Sequence, residues 1–224
     1  MQNEIIDYYN QLAPQYDKDR FGNTYGQYID QQEKAFVKKY TSKWKKARTL
    51  DVACGTGRFL EFAQFGIDAS AKMIEVAKEK FPNKQLFCES ASNTHFEDHF
   101  FEGILCFHLF MHLDKAITQQ IFQEFHRILK PEGQLVFDVP SGLRRKLIRY
   151  KAKNWHAASA YSLKEIQQLF GDKWRIKTYR GVAFFPIHRI PLNLRSTFLK
   201  FDNLLSKSPF KQYASYLILV LEKR

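Results

Sequence analysis

The stretch that decides the fold of this chain is Leu50–Gly57, which reads L-D-V-A-C-G-T-G. An apolar, strand-like segment runs into a glycine-rich turn, and residues 58–62 then read as the start of a helix. Asp68 follows in F-G-I-D-A-S, at the predicted end of the next strand. Glycine has no Cβ, so it lets the backbone approach a ligand closely, and an acid at this place accepts hydrogen bonds from ribose hydroxyls. The pattern therefore predicts a nucleotide-binding unit.

The same stretch distinguishes between kinds of nucleotide. The dinucleotide fingerprint G-x-G-x-x-G needs a third glycine where this chain has Leu60. A P-loop needs a lysine followed by serine or threonine, and the turn has none. Asp51, directly before the turn, would repel a phosphate and suits a cationic ligand with a free amino group. S-adenosyl-L-methionine has an amino group, a sulfonium and a ribose but no phosphate, so these residues favour it as the cofactor. An ordinary strand–turn–helix crossover is the alternative.

Four blocks of the chain resemble, in family order, the class I S-adenosylmethionine-dependent methyltransferases of the ubiquinone/menaquinone-biosynthesis-like group. The blocks are Leu50–Gly57, Gly66–Ala77, Gly103–Leu113 and Phe125–Val139. Three features depart from the family. The family often has glycine where this chain has Ala53, and the short stretch between Gly57 and Asp68 predicts a short first crossover helix. Where many members carry an acid that binds the adenine, Glu89 lies one residue early and Ser90 occupies the expected position.

The predicted fold class is α/β, because strand and helix patterns alternate along the chain. The predicted helices are Ile5–Tyr16, broken near Pro14, then Tyr25–Tyr40, Phe59–Gln64, Ala71–Lys80, Lys115–Leu129 and Tyr161–Phe170. The predicted strands are Thr49–Ala53, Phe65–Asp68, Gln85–Glu89, Gly103–Phe107, Gln134–Val139, Arg175–Phe185 and Tyr213–Leu221. The resemblance implies a Rossmann-like seven-stranded sheet flanked by helices, in the order 3-2-1-4-5-7-6 with the last strand antiparallel. Residues 1–224 are then one domain, with N-terminal helices in 1–46 and basic insertions at 141–160 and 186–212 covering the substrate side.

Composition bounds the environment of the chain. A hydrophobic fraction of 45% with 26% charged residues is typical of a globular protein. Cys54, Cys88 and Cys106 form neither a C-x-x-C pattern nor an even-numbered disulfide framework, which favours a reduced, cytoplasmic location. The first residues lack the layout of a signal peptide, and no apolar run approaches the roughly 20 residues that span a bilayer.

Positive charge is concentrated in the last third of the chain. Residues 1–140 carry 17 Lys and Arg against 19 Asp and Glu, whereas residues 141–224 carry 18 against 4. The resulting charges of −2 and +14 indicate an anionic partner or a solvated basic face. The run at 143–156 mixes cations with aromatic residues, as nucleic-acid surfaces do, and also reads as an amphipathic basic helix of the kind that lies on membranes. A lid over an anionic small substrate is the third interpretation.

The resemblance assigns roles around the cofactor, because ligands of open α/β sheets bind beyond the carboxyl ends of the strands. Asp51 is expected to contact the methionine amino group directly or through water, and Asp68 to hold the ribose. Ala69 and Met73 are expected to line the adenine slot. The full set of predicted cofactor-binding residues is Tyr16, Arg20, Asp51, Ala53, Cys54, Gly55, Gly57, Asp68, Ala69, Met73, Ser90, Ala91, Cys106 and Phe107.

Two N-terminal residues of that set have distinct expected roles. Tyr16 is expected to close over the cofactor and Arg20 to reach the methionine carboxylate; simple packing and solvation are the alternatives.

Methyl transfer from a sulfonium needs little acid–base chemistry, since the leaving group departs neutral and the protein mainly aligns the reactants. A base is needed only when the nucleophile starts protonated. His108 and His112 are the candidate catalytic residues, with His156 a third histidine in the basic insertion. For His112 a structural role that caps the loop is the alternative. No metal site is predicted, because no third ligand of the H-E-x-x-H kind accompanies this pair.

The predicted function is methyl transfer to a small-molecule acceptor. Enzymes that methylate base amines usually carry N-P-P-Y or D-P-P-Y after the fourth strand, where Cys106–Leu109 reads C-F-H-L. Two alternatives remain open at this point. One is an RNA methyltransferase, or a membrane-associated lipid or quinone methyltransferase, that uses the basic last third. The other is a non-catalytic scaffold that binds S-adenosyl-L-methionine.

Overall fold

In the computed structural model, which describes residues 2–224, seven strands form one sheet in the order β3-β2-β1-β4-β5-β7-β6. The strands are β1 (Thr49–Val52), β2 (Phe65–Asp68), β3 (Gln85–Cys88), β4 (Phe101–Cys106), β5 (Leu129–Pro140), β6 (Trp174–Val182) and β7 (Tyr216–Lys223). Strands β1 to β5 pair in parallel, whereas β7 runs antiparallel to both β5 and β6. The predicted fold class, strand order and antiparallel last strand are confirmed.

Eight α-helices of the described chain surround this sheet. They are α1 (Gln2–Leu12), α2 (Tyr16–Phe21), α3 (Thr24–Thr41), α4 (Ala71–Lys80), α5 (Lys115–Ile128), α6 (Gly142–Leu147), α7 (Leu163–Phe170) and α8 (Leu192–Leu205). Short 3₁₀ helices connect them at Ala13–Gln15, Lys46–Arg48, Phe110–His112, Gly171–Lys173, Ile187–Arg189 and Pro209–Tyr213. None of the helices within residues 2–224 has the length and apolar character needed to cross a bilayer.

The core lies on both faces of the central strands. In β4, Ile104 and Cys106 pack into one apolar cluster with Phe125, while Leu105 packs into a second cluster with Val37 of α3. Because successive side chains of a strand point to opposite faces, a strand covered on both sides is apolar throughout. This burial on both faces explains why the apolar residues of β4 run together as I-L-C rather than alternating with polar ones.

The predicted helix at Phe59–Gln64 is wrong. These residues form consecutive turns, in which the Leu60 N–H donates to the Gly57 carbonyl at 3.1 Å and the Phe62 N–H donates to the Phe59 carbonyl at 2.9 Å. The stretch before β2 is too short for an α-helix and a return to the sheet, so the chain takes i→i+3 bonds instead. Phe59 and Leu60 are nevertheless buried, and they seal the sheet where a longer helix would lie.

Other boundaries also differ from the sequence-based expectation, among them the start of β5, which is Leu129 rather than Gln134. The basic run at 143–156 is helical only to Leu147, and Arg149 has a left-handed φ of +50°. Strand β6 ends at Val182, because Ala183 turns with a φ of +55°. The break near Pro14 is confirmed, but a second helix, α2, resumes at Tyr16.

Candidate active site

A cavity of about 230 Å³ lies beyond the carboxyl ends of β1, β2, β3 and β4. Most of the predicted site residues line it, namely Tyr16, Ala53, Gly55, Asp68, Ala69, Met73, Ser90, Ala91, Phe107, His108 and His112. The remaining walls come from residues that sequence reasoning missed, among them Asn3, Ile5, Ile6, Tyr9, Leu109, Leu113, Ile117 and Ile121. The parallel sheet thus brings four separated segments to one place, as the fold requires.

Asp68 connects the end of β2 to the glycine turn after β1. Its Oδ2 accepts the Gly55 N–H at 2.9 Å, and its Oδ1 accepts the Ser70 N–H at 2.8 Å. Burial raises the pKa of this carboxyl, although the two backbone hydrogen bonds act to lower it. Each carboxylate oxygen can accept one more hydrogen bond, so Asp68 can bind a diol at the cavity wall.

The glycine turn needs unusual backbone geometry at three positions. Gly55 and Gly57 have φ values of +54° and +96°, and a Cβ on Gly57 would come within 2.6 Å of the Phe81 ring. Ala53 takes a φ of +54° in spite of its side chain. It is the position at which the resembling family often has glycine, and left-handed backbone costs a non-glycine residue roughly 1–2 kcal/mol.

Replacing Ala53 with glycine is expected to raise the free energy of unfolding by up to about 1 kcal/mol. Relief of the left-handed strain outweighs the roughly 0.5–1 kcal/mol that glycine costs through the unfolded chain. Urea denaturation of A53G, with Ala53→Val as the opposite change, measures this. Valine should destabilise the protein, because a β-branched residue tolerates positive φ poorly. A53G that is less stable than the parent would show that the turn carries no strain.

Five predicted residues do not reach the cavity wall, so their assigned roles stay predictions. Gly57 faces Phe81, and the Arg20 Nη2 donates to the Tyr8 hydroxyl at 3.4 Å. The other three are buried behind the wall and are Asp51, Cys54 and Cys106. Burial raises the pKa of both thiols well above the usual value, so neither is a thiolate.

Asp51 is the most unusual of these buried groups. Only 1% of it is exposed, and its Oδ2 has no hydrogen-bond partner among the described residues. Burial raises its pKa to about 8, with Arg58 acting to lower it and Asp68 to raise it. A buried carboxyl with a free oxygen beside a ligand cavity is suited to receive a cation.

The N-terminal helices cover the cavity from above the sheet. The Ser70 hydroxyl donates to Asn10 Oδ1 at 2.7 Å, which ties α1 to the start of α4. Tyr9 and Tyr16 face the cavity with ring centroids 6.2 Å apart. Sequence reasoning found Tyr16 but not Tyr9, although Tyr9 follows Ile5 and Ile6 at helical spacing, which was the available signal.

His112 is held by hydrogen bonds at both ring nitrogens. The Ala157 N–H donates to Nδ1 at 3.3 Å, so the proton of the neutral ring lies on Nε2, which is 3.0 Å from the Tyr9 hydroxyl. Burial lowers the pKa of His112 to about 4, and the nearby His156 acts in the same direction. His112 therefore donates to Tyr9, which leaves the Tyr9 hydroxyl hydrogen free to point into the cavity. This geometry favours a structural or positioning role over general-base catalysis.

The lowered pKa of His112 predicts loss of stability in mild acid. Below pH 6.5 the unfolded chain binds a proton that the folded state takes up only near pH 4. The contribution of neutral His112 to the free energy of unfolding therefore falls as the pH drops through that window. Across the whole window the loss in the free energy of unfolding is roughly 3 kcal/mol. Urea denaturation of the parent and of His112→Gln at several pH values measures it: the parent should lose more stability towards pH 4. Parallel pH profiles would contradict a neutral, buried His112.

His108 lies between two buried acids that sequence reasoning did not assign. Its Nε2 is 3.2 Å from Glu33 Oε2, its Nδ1 is 3.4 Å from Asp138 Oδ2, and its backbone N–H donates to Asp138 Oδ1 at 2.6 Å. Burial acts to lower the pKa of His108, but the charges of Glu33 and Asp138 outweigh it and raise the pKa. Both ring nitrogens of His108 face carboxylate oxygens, so His108 in this network is not suited to accept a proton from a substrate.

Arg58 completes this buried network. Its Nη2 donates to Glu33 Oε2 at 2.6 Å, and its Nη1 donates to Asp30 Oδ1 at 3.1 Å. Ligand atoms of Glu33, His108 and Asp138 lie within 4.8 Å of one another, a spacing that a metal ion could use. Two cations already neutralise these acids, however, so we assign the group as an ion-pair network.

Comparison with known proteins places this geometry in a family. Residues 50–137 match a family described as a methyltransferase domain. The chain therefore resembles the methyltransferase family from β1 into β5. The resemblance deduced from the four sequence blocks is thereby confirmed, and S-adenosyl-L-methionine is the methyl donor of this family.

The chain has both curated and structural relatives. The chain is 32% identical over 149 residues to the ubiquinone/menaquinone biosynthesis C-methyltransferase UbiE of Campylobacter jejuni, covering 60% of this chain and 63% of that protein. It is 31% identical over 152 residues to the putative methyltransferase YqeM of Bacillus subtilis, covering 63% and 61%. The match thus spans slightly less than two thirds of these relatives. Magnesium protoporphyrin IX methyltransferase from Synechocystis PCC 6803, solved with bound SAH, shares the fold with a TM-score of 0.69, 14% identity and full coverage of both chains.

Proposed function

We propose that this chain transfers a methyl group from S-adenosyl-L-methionine to a small-molecule acceptor. The observation that carries the proposal is Asp68, whose carboxylate is fixed opposite the glycine turn at the wall of the cavity. In a methyltransferase domain this is the arrangement that binds a ribose. The proposal treats residues 1–224 as one domain, with 1–46 and the insertions 141–160 and 186–212 on the substrate side. A cytoplasmic location stays a prediction from the sequence.

The residues present fit the cofactor group by group. Asp68 would hold the ribose hydroxyls, and the unpartnered Asp51 Oδ2 would receive the methionine ammonium directly or through water. Met73 is 1% exposed and lines the cavity beside Ala69, as an apolar adenine slot requires. The adenine amino group faces Ser90 rather than an acid in this proposal, since Glu89 is bonded to His95.

Bound S-adenosyl-L-methionine supplies a methyl group on a cationic sulfur that leaves as a neutral thioether. The protein therefore needs to align donor and acceptor and to exclude water, and alignment alone is worth roughly 7–11 kcal/mol of the barrier. Tyr9, backed by His112, can donate a hydrogen bond to an acceptor oxygen. His108 lines the cavity beside Phe107, where the buried acids Glu33 and Asp138 fix the orientation of its ring. His108 and His112 thus remain proposed site residues, with positioning roles.

Two observations support a small-molecule acceptor. One relative is named for ubiquinone/menaquinone biosynthesis and one structural neighbour for magnesium protoporphyrin IX, and quinones and porphyrins are small organic molecules. The cavity is a concave site lined by apolar residues of α5 such as Ile117 and Ile121 and by Ile6 of α1, as sites for small organic molecules are.

Calorimetric titration with S-adenosyl-L-methionine, followed by transfer of labelled methyl to fractionated metabolites, tests this proposal. We expect binding with a dissociation constant in the micromolar range and label in a small organic product. Absence of binding at about 500 µM, a free energy weaker than roughly −4.5 kcal/mol, would overturn it. Binding without turnover on any metabolite fraction would support the scaffold alternative instead.

A further inference from the structure

The exposed apolar residues of this protein are concentrated on one face. Of the part of the chain that the structure describes, all ten large hydrophobic side chains classed as exposed lie between residues 147 and 213. They are Leu147, Ile148, Tyr150, Leu192, Leu194, Phe198, Phe201, Leu204, Phe210 and Tyr213. We call this set the apolar face. Scattered single exposed hydrophobics are ordinary, whereas a contiguous group marks an interaction surface.

Helix α8 presents its apolar side to solvent. Leu194, Phe198, Phe201 and Leu204 recur at intervals of four, three and three residues and are 48%, 37%, 58% and 66% exposed. That spacing places them on one side of the helix. The side of α8 that meets the protein carries Leu199, which packs on an apolar cluster, and the single acid of the helix, Asp202, which is fully buried. This is the reverse of an ordinary surface helix, whose apolar stripe faces the core.

Buried hydrogen bonds hold α8 in this orientation. Asp202 Oδ2 accepts the Tyr28 hydroxyl at 2.6 Å, and Asp202 Oδ1 accepts the Phe185 N–H at 2.6 Å. If α8 turned about its own axis so that the apolar stripe became buried, Asp202 would lose these hydrogen-bond partners. The structure therefore fixes the apolar side outward.

Contacts between α6 and the 3₁₀ helix Pro209–Tyr213 join the two parts of the apolar face. The Arg144 Nη1 donates to the Tyr213 carbonyl at 3.2 Å, and the Ser141 hydroxyl donates to the Gln212 carbonyl at 2.5 Å. Leu147 and Ile148, at the end of α6, thus belong to the same surface as α8. Helix α6 directly follows β5, which carries Asp138, so the surface lies at the cavity end of the sheet.

Cations surround the apolar face with almost no acids among them. Residues 141–160 contain six Lys and Arg and no acid, and residues 186–213 contain five with Asp202 as the only acid. Because Asp202 is buried and bonded to Tyr28, the exposed charge of these segments is entirely positive. Lys146, Lys200 and Lys207 are exposed next to the apolar residues.

We propose that this apolar, basic face docks the protein on an anionic membrane surface. Exposed apolar side chains enter the boundary of the acyl chains while lysine and arginine contact anionic headgroups. RNA fits the face less well, because half of the exposed set is aliphatic leucine or isoleucine, and only aromatic rings stack on bases. A second copy of the chain would bring two positive faces together, which disfavours self-association.

Co-flotation with vesicles tests the proposal on the intact protein. Vesicles of phosphatidylcholine with phosphatidylglycerol should carry the protein up the gradient at low salt, and vesicles of phosphatidylcholine alone should not. The double variant Phe201→Ser/Leu204→Ser should lower the partition coefficient at least about tenfold, because it removes apolar insertion. Lys200→Glu/Lys207→Glu should do the same through lost headgroup contacts, and both variants should keep the parent's thermal midpoint and affinity for S-adenosyl-L-methionine.

A matched charge reversal on another face serves as the control. Lys38 and Lys39 are exposed on α3, away from the apolar face. Lys38→Glu/Lys39→Glu changes the net charge by the same amount as Lys200→Glu/Lys207→Glu. It should leave the partition coefficient within about twofold of the parent's value. Membrane docking would be overturned if both charge variants lost flotation equally or if the parent did not float. It would also be overturned if the face bound RNA, or formed concentration-dependent dimers, and the α8 variants abolished that binding. Membrane docking near the cavity rests on the proposed function only for its purpose, and failure of the methyl-transfer proposal would appear in the calorimetric titration or the labelled-methyl assay, not in flotation.

Discussion

Replacing Asp68 with asparagine will weaken binding of S-adenosyl-L-methionine about 100-fold. The carboxylate is expected to accept two ribose hydrogen bonds, and charge-assisted bonds are worth roughly 1.5–3 kcal/mol each. An amide keeps the shape but loses the charge and one acceptor. It also leaves one of the Gly55 and Ser70 N–H groups without its present acceptor, which should lower the free energy of unfolding by roughly 1–2 kcal/mol. Calorimetric titration and urea denaturation measure the two effects separately.

S-adenosyl-L-homocysteine sharpens this experiment because it has the same ribose but lacks the sulfonium. If Asp68 binds the ribose, D68N should lower the affinity for both ligands by the same factor. Glu89→Gln is the matched control, since Glu89 lines the same cavity but is bonded to His95, and we expect less than about threefold loss. Equal losses in D68N and E89Q would show that the cavity does not place the ribose at Asp68.

Replacing Glu33 with glutamine will destabilise the fold by roughly 3–5 kcal/mol, the cost of breaking a buried ion pair from one side. Glu33 is fully buried, and its Oε2 contacts both the Arg58 guanidinium and the His108 ring. Glutamine leaves two cations without their shared anion. Urea denaturation near neutral pH measures the loss, and Asp30→Asn is the control because Asp30 is 23% exposed and pairs with the same arginine. Asp30→Asn should cost less than about 1 kcal/mol.

The pH dependence of the Glu33 effect has a definite sign. Burial acts to raise the pKa of Glu33, but the charges of His108 and Arg58 outweigh it and lower the pKa from 4.5 to about 2. The stability that Glu33 contributes is therefore present above pH 4.5 and is lost as the pH falls towards 2. The difference in the free energy of unfolding between the parent and E33Q should therefore become smaller as the pH falls over that window. A gap below about 1 kcal/mol at neutral pH would contradict the ion-pair assignment.

The sheet could be predicted from sequence because its signals are local and repeated. Leu50–Gly57 and Asp68 set the first crossover, and the alternation of strand and helix patterns marked the strands that follow, although not their exact ends. The helix at Phe59–Gln64 was wrong because helical composition says nothing about the length available between two strands. Packing against Phe107 and the short return to β2 decided the conformation of that segment.

The buried network could not be predicted, because its members are brought together only by the tertiary fold. Glu33 lies on α3, Arg58 in the turn after β1, and Asp138 at the end of β5, so no spacing in the sequence connects them. Glu33 and Arg58 also resemble ordinary surface charges when read singly. The apolar face was missed for the opposite reason: the spacing of Leu194, Phe198 and Phe201 predicts a stripe packed on a core, and only the buried Asp202 shows that it points outward.

The position of β7 in the sheet has a consequence for synthesis of the protein. Residues 216–223 insert between β5 and β6, and β6 has no other neighbour in the sheet. While a ribosome is still making these residues, β6 and the edge of β5 have no partner, and the apolar side chains that β7 covers remain exposed. A nascent chain at this stage resembles an aggregation-prone intermediate. Emergence of β7, rather than emergence of the glycine turn, is therefore the step that completes the sheet.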